Sequence, residues 1–219
     1  MQPTAEQVYD GQALYTKGIL SVYDILVLGL SNRFIWQCPS PTIREHYNAH
    51  ISSNHLDVGV GTGYFLDRCR FPSYHPRVAL MDMNPNSLAY AARRIVRYQP
   101  ETYRQNIFEP ISESMATFDS VGINYLLHCL PGTITEKAAI LDHLKAVMNP
   151  GACIFGSTIL QGDVPRSWAA RKLMAFYNRK GIFANTQDTL KGLDMALSQR
   201  FDKVSLKLVG CVALFSAQT

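Results

Sequence analysis

Several residues are placed where they could do chemistry. Leu56-Asp57-Val58-Gly59-Val60-Gly61-Thr62-Gly63-Tyr64-Phe65-Leu66 carries an acid within an apolar run, then three glycines at alternate positions, then an apolar helical pattern. Glycine accepts positive φ and lets another group approach the backbone, so a tight strand-to-helix turn is expected here. Free N–H groups at the start of the helix would face whatever lies against the turn. Asp82 follows Val78-Ala79-Leu80-Met81, with Met83 beside it. A carboxylate at a strand end can accept hydrogen bonds from both hydroxyls of a ribose. The plainer role for Asp82, a helix cap, is better filled by Asn84 ahead of Pro85. Asn124 ends a further apolar run, and His128 follows it by one helical turn. That histidine is placed either to act as a base toward a hydroxyl nucleophile or to pack its loop.

A dinucleotide fingerprint needs G-x-G-x-x-G, and the third glycine position here is Tyr64. No G-x-x-x-x-G-K-[ST] run is present, which excludes a P-loop. The glycine stretch resembles motif I of the class I S-adenosylmethionine (SAM)-dependent methyltransferases. Three later stretches resemble that family's landmarks in order. Gln105-Asn106-Ile107-Phe108-Glu109-Pro110 resembles the end of its third strand, with Asn106 where Asp is common. Phe118 to Gly132 resembles the region around strand four, and Met148-Asn149-Pro150-Gly151 the turn before strand five.

The resemblance implies an α/β, seven-stranded Rossmann-like sheet, mostly parallel with an antiparallel C-terminal strand. It implies SAM as cofactor, S-adenosylhomocysteine as product, and no metal. Gly59, Gly61 and Gly63 would hold the methionine half, with Asp57 orienting that loop or reaching the methionine amino group; Asp82 would hold the ribose, Asn106 and Ile107 would meet the adenine, and Met83 would also touch the cofactor. Asn124 would lie beside the sulfonium, and His128 is the candidate catalytic base. Tyr15 and Tyr23, in the N-terminal segment, are candidates to touch the methionine end or the acceptor. The family's N/D-P-P-Y/F motif for planar nitrogens is replaced by Asn124-Tyr125-Leu126-Leu127. No paired-glutamate loop of the arginine methyltransferases and no appended RNA-binding module is visible. A small, apolar or aromatic metabolite is therefore the expected acceptor. Two other readings stay open: a SAM-fold protein that transfers no methyl (a lyase, a pericyclic catalyst or a binding partner), and an NAD(P) oxidoreductase. The latter is disfavoured by Tyr64 and by the lack of a Tyr-x-x-x-Lys run.

The elements that must position these residues follow from periodicity. Residues 4–15 and 16–28 read as helices, the second with Ile19, Val22, Tyr23, Leu26 and Val27 at helical spacing around the odd Asp24. Ser40-Pro41 reads as the cap and first turn of a third, ending near His50. These aromatic-rich helices would either cap the site or pack on the sheet. Strands are expected at 55–58, 77–81, 103–107, 118–125 and 152–159. Helices are expected at 63–70, after Pro85, and from a Thr135 cap to Met148. Alternating strands and helices mean a parallel sheet. Helices at 165–179 and 186–199 and a hairpin around Gly210 complete the chain. Trp168, Met174, Phe176, Tyr177 and Phe183 would line an acceptor pocket or pack the core. The charges of that segment, like Arg93, Arg94 and Arg97, read as solvated helix faces.

One domain is expected: an N-terminal cap (1–50), a SAM-binding core (51–160), a helical substrate-side segment (161–200) and a C-terminal hairpin (201–219). Of 219 residues, 47% are apolar and 17% charged, which argues for an ordered globule. A net charge of +4 is too small and too dispersed to imply nucleic acid. The five cysteines show no C-x-x-C spacing, and most read as buried thiols; Cys69, between two arginines, is the exception. Free thiols, the absence of a signal-peptide pattern and the lack of a spanning apolar run point to a cytoplasmic protein without a membrane partner, with a homodimer as a possible state.

Overall fold

The computed structural model describes residues 24–112 and 114–219, with side chains from residue 29 onward. Tyr15 and Tyr23 lie outside the described residues, as does the side chain of Asp24. A π-helical segment, Asp24–Ile35, comes first; Trp36 N–H closes onto the Ser31 carbonyl at 2.8 Å, the wider ring that defines it. Helix α1 (Ser40–His50) follows. Pro39, not Ser40, stands at its cap position, and the Ser40 hydroxyl is buried, accepting from Asn32 Nδ2 at 2.8 Å.

The sheet holds β1 (Asn54–Val58), β2 (Arg77–Asp82), β3 (Glu101–Arg104), β4 (Phe118–Asn124), β5 (Met148–Ile159), β6 (Asp202–Val209) and β7 (Val212–Gln218). Their order is β3-β2-β1-β4-β5-β7-β6. All neighbours pair in parallel except β7, which runs antiparallel to both β5 and β6. The seven-stranded, mostly parallel sheet with an antiparallel last strand agrees with expectation.

Helices α2 (Tyr64–Arg68) and α3 (Pro85–Arg94) join α1 on one face. There Tyr47, Leu66, Leu88, Ala91 and Ile95 pack on Val78, Leu80 and Phe155. On the other face, α4 (Ile134–Lys137), α5 (Ala139–Lys145) and α7 (Leu190–Ser198) set Ile140, Leu144, Leu193 and Leu197 against Leu56, Val121, Ile154 and Phe215. Helix α6 (Trp168–Arg179) packs with Trp36 and Ile43 over the β7 end of the sheet. The helices on both faces bury both sides of the parallel strands.

Local chemistry explains the differences from the expected boundaries. β3 ends at Arg104 because Asn106 folds its side chain back onto the Phe108 N–H at 3.1 Å, an Asx turn that stops the ladder. Thr133, not Thr135, caps the helix before β5; with Glu136 it forms a reciprocal capping box. Asn149-Pro150-Gly151 lies inside the span of β5, at an irregularity in its register with β4. Cys69 is buried despite its arginine neighbours, its thiol donating to the Leu66 carbonyl and pushed up to about 12 by burial.

The side chain of Lys137 is fully buried. Its ammonium donates to Asp188 Oδ2 at 2.6 Å and to the Ala184 carbonyl at 2.7 Å, tying α4 to the loop before α7. Burial lowers the lysine pKa and raises that of Asp188. Such a pair adds little net stability, but removing one partner strands the other charge. Lys137→Met should therefore cost about 3–5 kcal/mol in denaturant unfolding, and a Lys137→Met/Asp188→Leu double variant should recover much of that loss.

Candidate active site

The carboxyl ends of β1, β2 and β4 open into a cleft with two lobes. The larger, about 770 Å³ with its mouth, is lined by Gly59, Gly61, Met81, Asp82, Met83, Gln105, Asn106, Ile107, Phe108 and the loop from Tyr125 to Pro131. The smaller, about 500 Å³, is lined by Asp57, Gly59, Val60, Thr62, Gly63, Tyr64, Phe65, Asn124 and Tyr125. The structure thus divides the sequence-derived residues between two neighbouring sites that share Gly59 and Tyr125.

The three glycines take φ of +70°, +51° and +70°, as the alternate spacing requires. A Cβ on Gly59 would lie 2.7 Å from Leu126 Cδ1, so a side chain there would also push on the loop after β4. Gly59 N–H is held by the Met81 carbonyl at 2.8 Å. From the other side, Arg94 donates to the Thr62 carbonyl at 3.1 Å and pairs with Asp67 at 3.3 Å. Arg94 is therefore a brace for the glycine turn and for α2 rather than a solvated helix face. The helix after the turn is short, ending at Arg68 and not at residue 70.

Asp82 accepts from the Asn84 N–H at 2.8 Å and from the backbone N–H groups of Val60 and Gly61. Burial pushes its pKa up to about 6, partly offset by those donors and reinforced by the nearby Asp57 charge. Asn84 caps α3, as expected, by accepting from Asn86 N–H at 2.8 Å. Asn106 reaches the larger lobe with its amide partly committed, since Nδ2 donates to Glu109 at 3.0 Å. Asn124 Oδ1 accepts from the Ser157 hydroxyl at 3.0 Å, while its Nδ2 is buried without a partner at the edge of the smaller lobe.

The residue type of Tyr125 carries no signal of its role. It sits directly after β4 with φ +56°, a conformation that costs energy in a non-glycine residue and clusters at functional sites. Its hydroxyl donates to Asn32 Oδ1 at 2.9 Å, so the N-terminal segment fixes a ring that borders both lobes. His128 lies behind this loop, buried. Its Nδ1 accepts from the Ile159 N–H at 3.3 Å, and its ring meets Phe183 at 4.5 Å. Burial, with Lys137 nearby, lowers its pKa to about 3. Of the aromatic residues expected at an acceptor pocket, Trp168 and Phe176 are 69% and 42% exposed. Met174 and Phe183 are buried against Trp36 and Ile159.

A carboxylate at the second strand end, an apolar wall of Ile107 and Phe108, a glycine cradle and an orphaned amide donor beside Asp57 fit an adenosine joined to an amino acid. Residues 56–154 match the methyltransferase domain family. The chain is 42% identical over 214 residues to the demethylluteothin O-methyltransferase of Streptomyces thioluteus, spanning 98% of this chain and 93% of that one. It is 32% identical over 209 residues to the physcion biosynthesis cluster O-methyltransferase of Aspergillus chevalieri, 94% of each. A solved structure of the DhpI complex with S-adenosylhomocysteine superposes with a TM-score of 0.70 at 16% identity, over 99% of this chain and 98% of that one; it shares the fold. The chain belongs to the class I SAM-dependent methyltransferases. Within that class it is a small-molecule methyltransferase.

The raised Asp82 pKa has a direct readout. By carbon-13 NMR its carboxyl should titrate near pH 6 rather than at the ordinary 3.8. The folded state then holds the proton more tightly than the unfolded chain. The contribution of this group to stability is therefore greatest below pH 3.8 and is lost as pH rises through 6.

Proposed function

We propose that this methyltransferase methylates a hydroxyl group on a small polyketide or aromatic metabolite in the cytoplasm. The observation that carries the reading is 42% identity, over nearly the whole of both chains, with the O-methyltransferase of demethylluteothin. Five unpaired cysteines suit a reducing compartment. The described residues contain no helix long and apolar enough to cross a membrane.

In this reading Asp82 and Met83 hold the ribose, and Asn106 and Ile107 border the adenine. Asp57, the three glycines and Asn124 hold the amino-acid half. When bound, SAM supplies an electrophilic methyl group on a sulfonium. The work of the chain is to fix the acceptor in line and exclude water, and proximity of this kind supplies a large share of the rate. Tyr125, pinned by Asn32, borders the place where the two lobes meet and is the residue best placed to orient the acceptor.

His128 acts in this scheme as packing for the loop rather than as the base. Its lone pair is committed to the Ile159 amide, and its low pKa leaves it a weak proton acceptor at neutral pH. His128→Asn should therefore keep the shape of the wild-type pH–rate profile between pH 6 and 9, whereas loss of its rising acid-side limb would restore the histidine as base.

Incubation with SAM and a panel of phenolic and enolic metabolites should yield S-adenosylhomocysteine and an O-methylated product by mass spectrometry. Failure of calorimetric titration to detect either sulfur nucleoside would overturn the reading. SAM affinity should weaken below pH about 6, where Asp82 takes up its proton. Asp82→Ala should lose about 2–3 kcal/mol of binding and flatten that dependence.

A further inference from the structure

His55 and Asp57 alternate on β1 and so share the face covered by α1, in the middle of the sheet. Two polar side chains buried there require partners. The register supplies the first, placing His55 opposite Ser120 and Asp57 opposite Gly122. His55 Nδ1 lies 2.8 Å from Ser120 Oγ, and its Nε2 lies 3.0 Å from the Tyr47 hydroxyl. Tyr47, from α1, donates that hydroxyl to Asp57 Oδ2. Ser120 Oγ also accepts from the Ser52 N–H at 2.9 Å.

Counting protons gives this chain a direction. The single Tyr47 proton goes to the carboxylate, so His55 Nε2 must be the donor to the Tyr47 oxygen. On the far side of the ring, Nδ1 meets the Ser120 hydroxyl, whose oxygen accepts from the Ser52 amide and lies 2.9 Å from the Ser52 hydroxyl. The Tyr47 and His55 Nε2 donors therefore both point toward Asp57. Tyr47 and His55 are both 0% exposed and Asp57 is 7% exposed.

The packing leaves the relay one geometry. A Cβ on Gly122 would lie 3.1 Å from His55 Cε1 and 3.2 Å from Asp57 Oδ2, so a side chain there would press both by a few tenths of an ångström. Phe155, paired with Gly122 on β5, stacks on His55 with centroids 5.8 Å apart and meets the Tyr47 ring edge-on at 5.0 Å.

We propose that Tyr47 and His55 are positioning residues for Asp57, holding its Oδ2 so that the carboxylate meets the amino-acid half of the cofactor in one orientation. Helix α1 thereby becomes part of the cofactor site. The inference rests on the reading that Asp57 faces the amino-acid half, and its test separates the two. Calorimetric titrations compare S-adenosylhomocysteine with 5′-methylthioadenosine, which keeps the adenosine and sulfur but lacks the amino-acid group.

Tyr47→Phe, nearly isosteric, should weaken S-adenosylhomocysteine about tenfold and leave 5′-methylthioadenosine unchanged. His55→Gln provides the same comparison should Tyr47→Phe fail to fold. Equal weakening of both ligands would mean general loosening of the fold and would overturn the proposal, as would an unchanged affinity for S-adenosylhomocysteine. Asp57→Asn is the control. If it too leaves S-adenosylhomocysteine binding intact, the placement of Asp57 is what fails; if it weakens binding and Tyr47→Phe does not, the positioning role alone fails.

Discussion

The structure depends on keeping a carboxylate inside a parallel sheet. Asp57 sits on a central strand flanked by β2 and β4, where an unpaired charge would cost several kcal/mol. It is met there by a tyrosine from α1 and lies close over a glycine on β4, with a phenylalanine on β5 packed against the tyrosine. Four separate elements are thus fixed in register by one acid. The glycine turn that leaves β1 inherits that register, and so does the position of everything beyond it.

The second acid works differently. Asp82 gathers amides from the turn and from the start of α3, so the two strand ends are bound into a single rim. Arg94 closes the rim from behind through Thr62 and Asp67. The cradle is held by its own hydrogen bonds, which limits the ordering entropy lost on binding.

Much of this was readable because it is local. Alternating glycines, an acid ending an apolar run and Asn84-Pro85 each act through the backbone within a few residues, and the order of strands and helices follows from periodicity. What escaped the sequence depends on distant partners. Lys137 sits in a charged helix pattern and is buried only because Asp188 meets it. Cys69 is flanked by arginines, yet packs inward where α2 ends. The backbone conformation of Tyr125 has no signature in its residue type, and the link from Tyr47 to Asp57 exists only once α1 has docked. The aromatic residues of α6 show the same limit, since helical spacing alone could not tell the buried Met174 from the exposed Trp168.

The turn between β6 and β7 bears on how such an enzyme can be changed. Cys211 donates to the Trp36 carbonyl and accepts from the Leu160 amide, both at 2.9 Å, and a Cβ on Gly210 would lie 2.1 Å from that same Trp36 oxygen. Three stretches far apart in the chain are thereby sewn into one wall beside α6. The α6 side of this scaffold is consequently not a cassette. A helix transplanted from a relative would arrive without the seam that seats it, and a workable chimera would have to exchange the N-terminal segment, the stretch after β5 and the hairpin turn together.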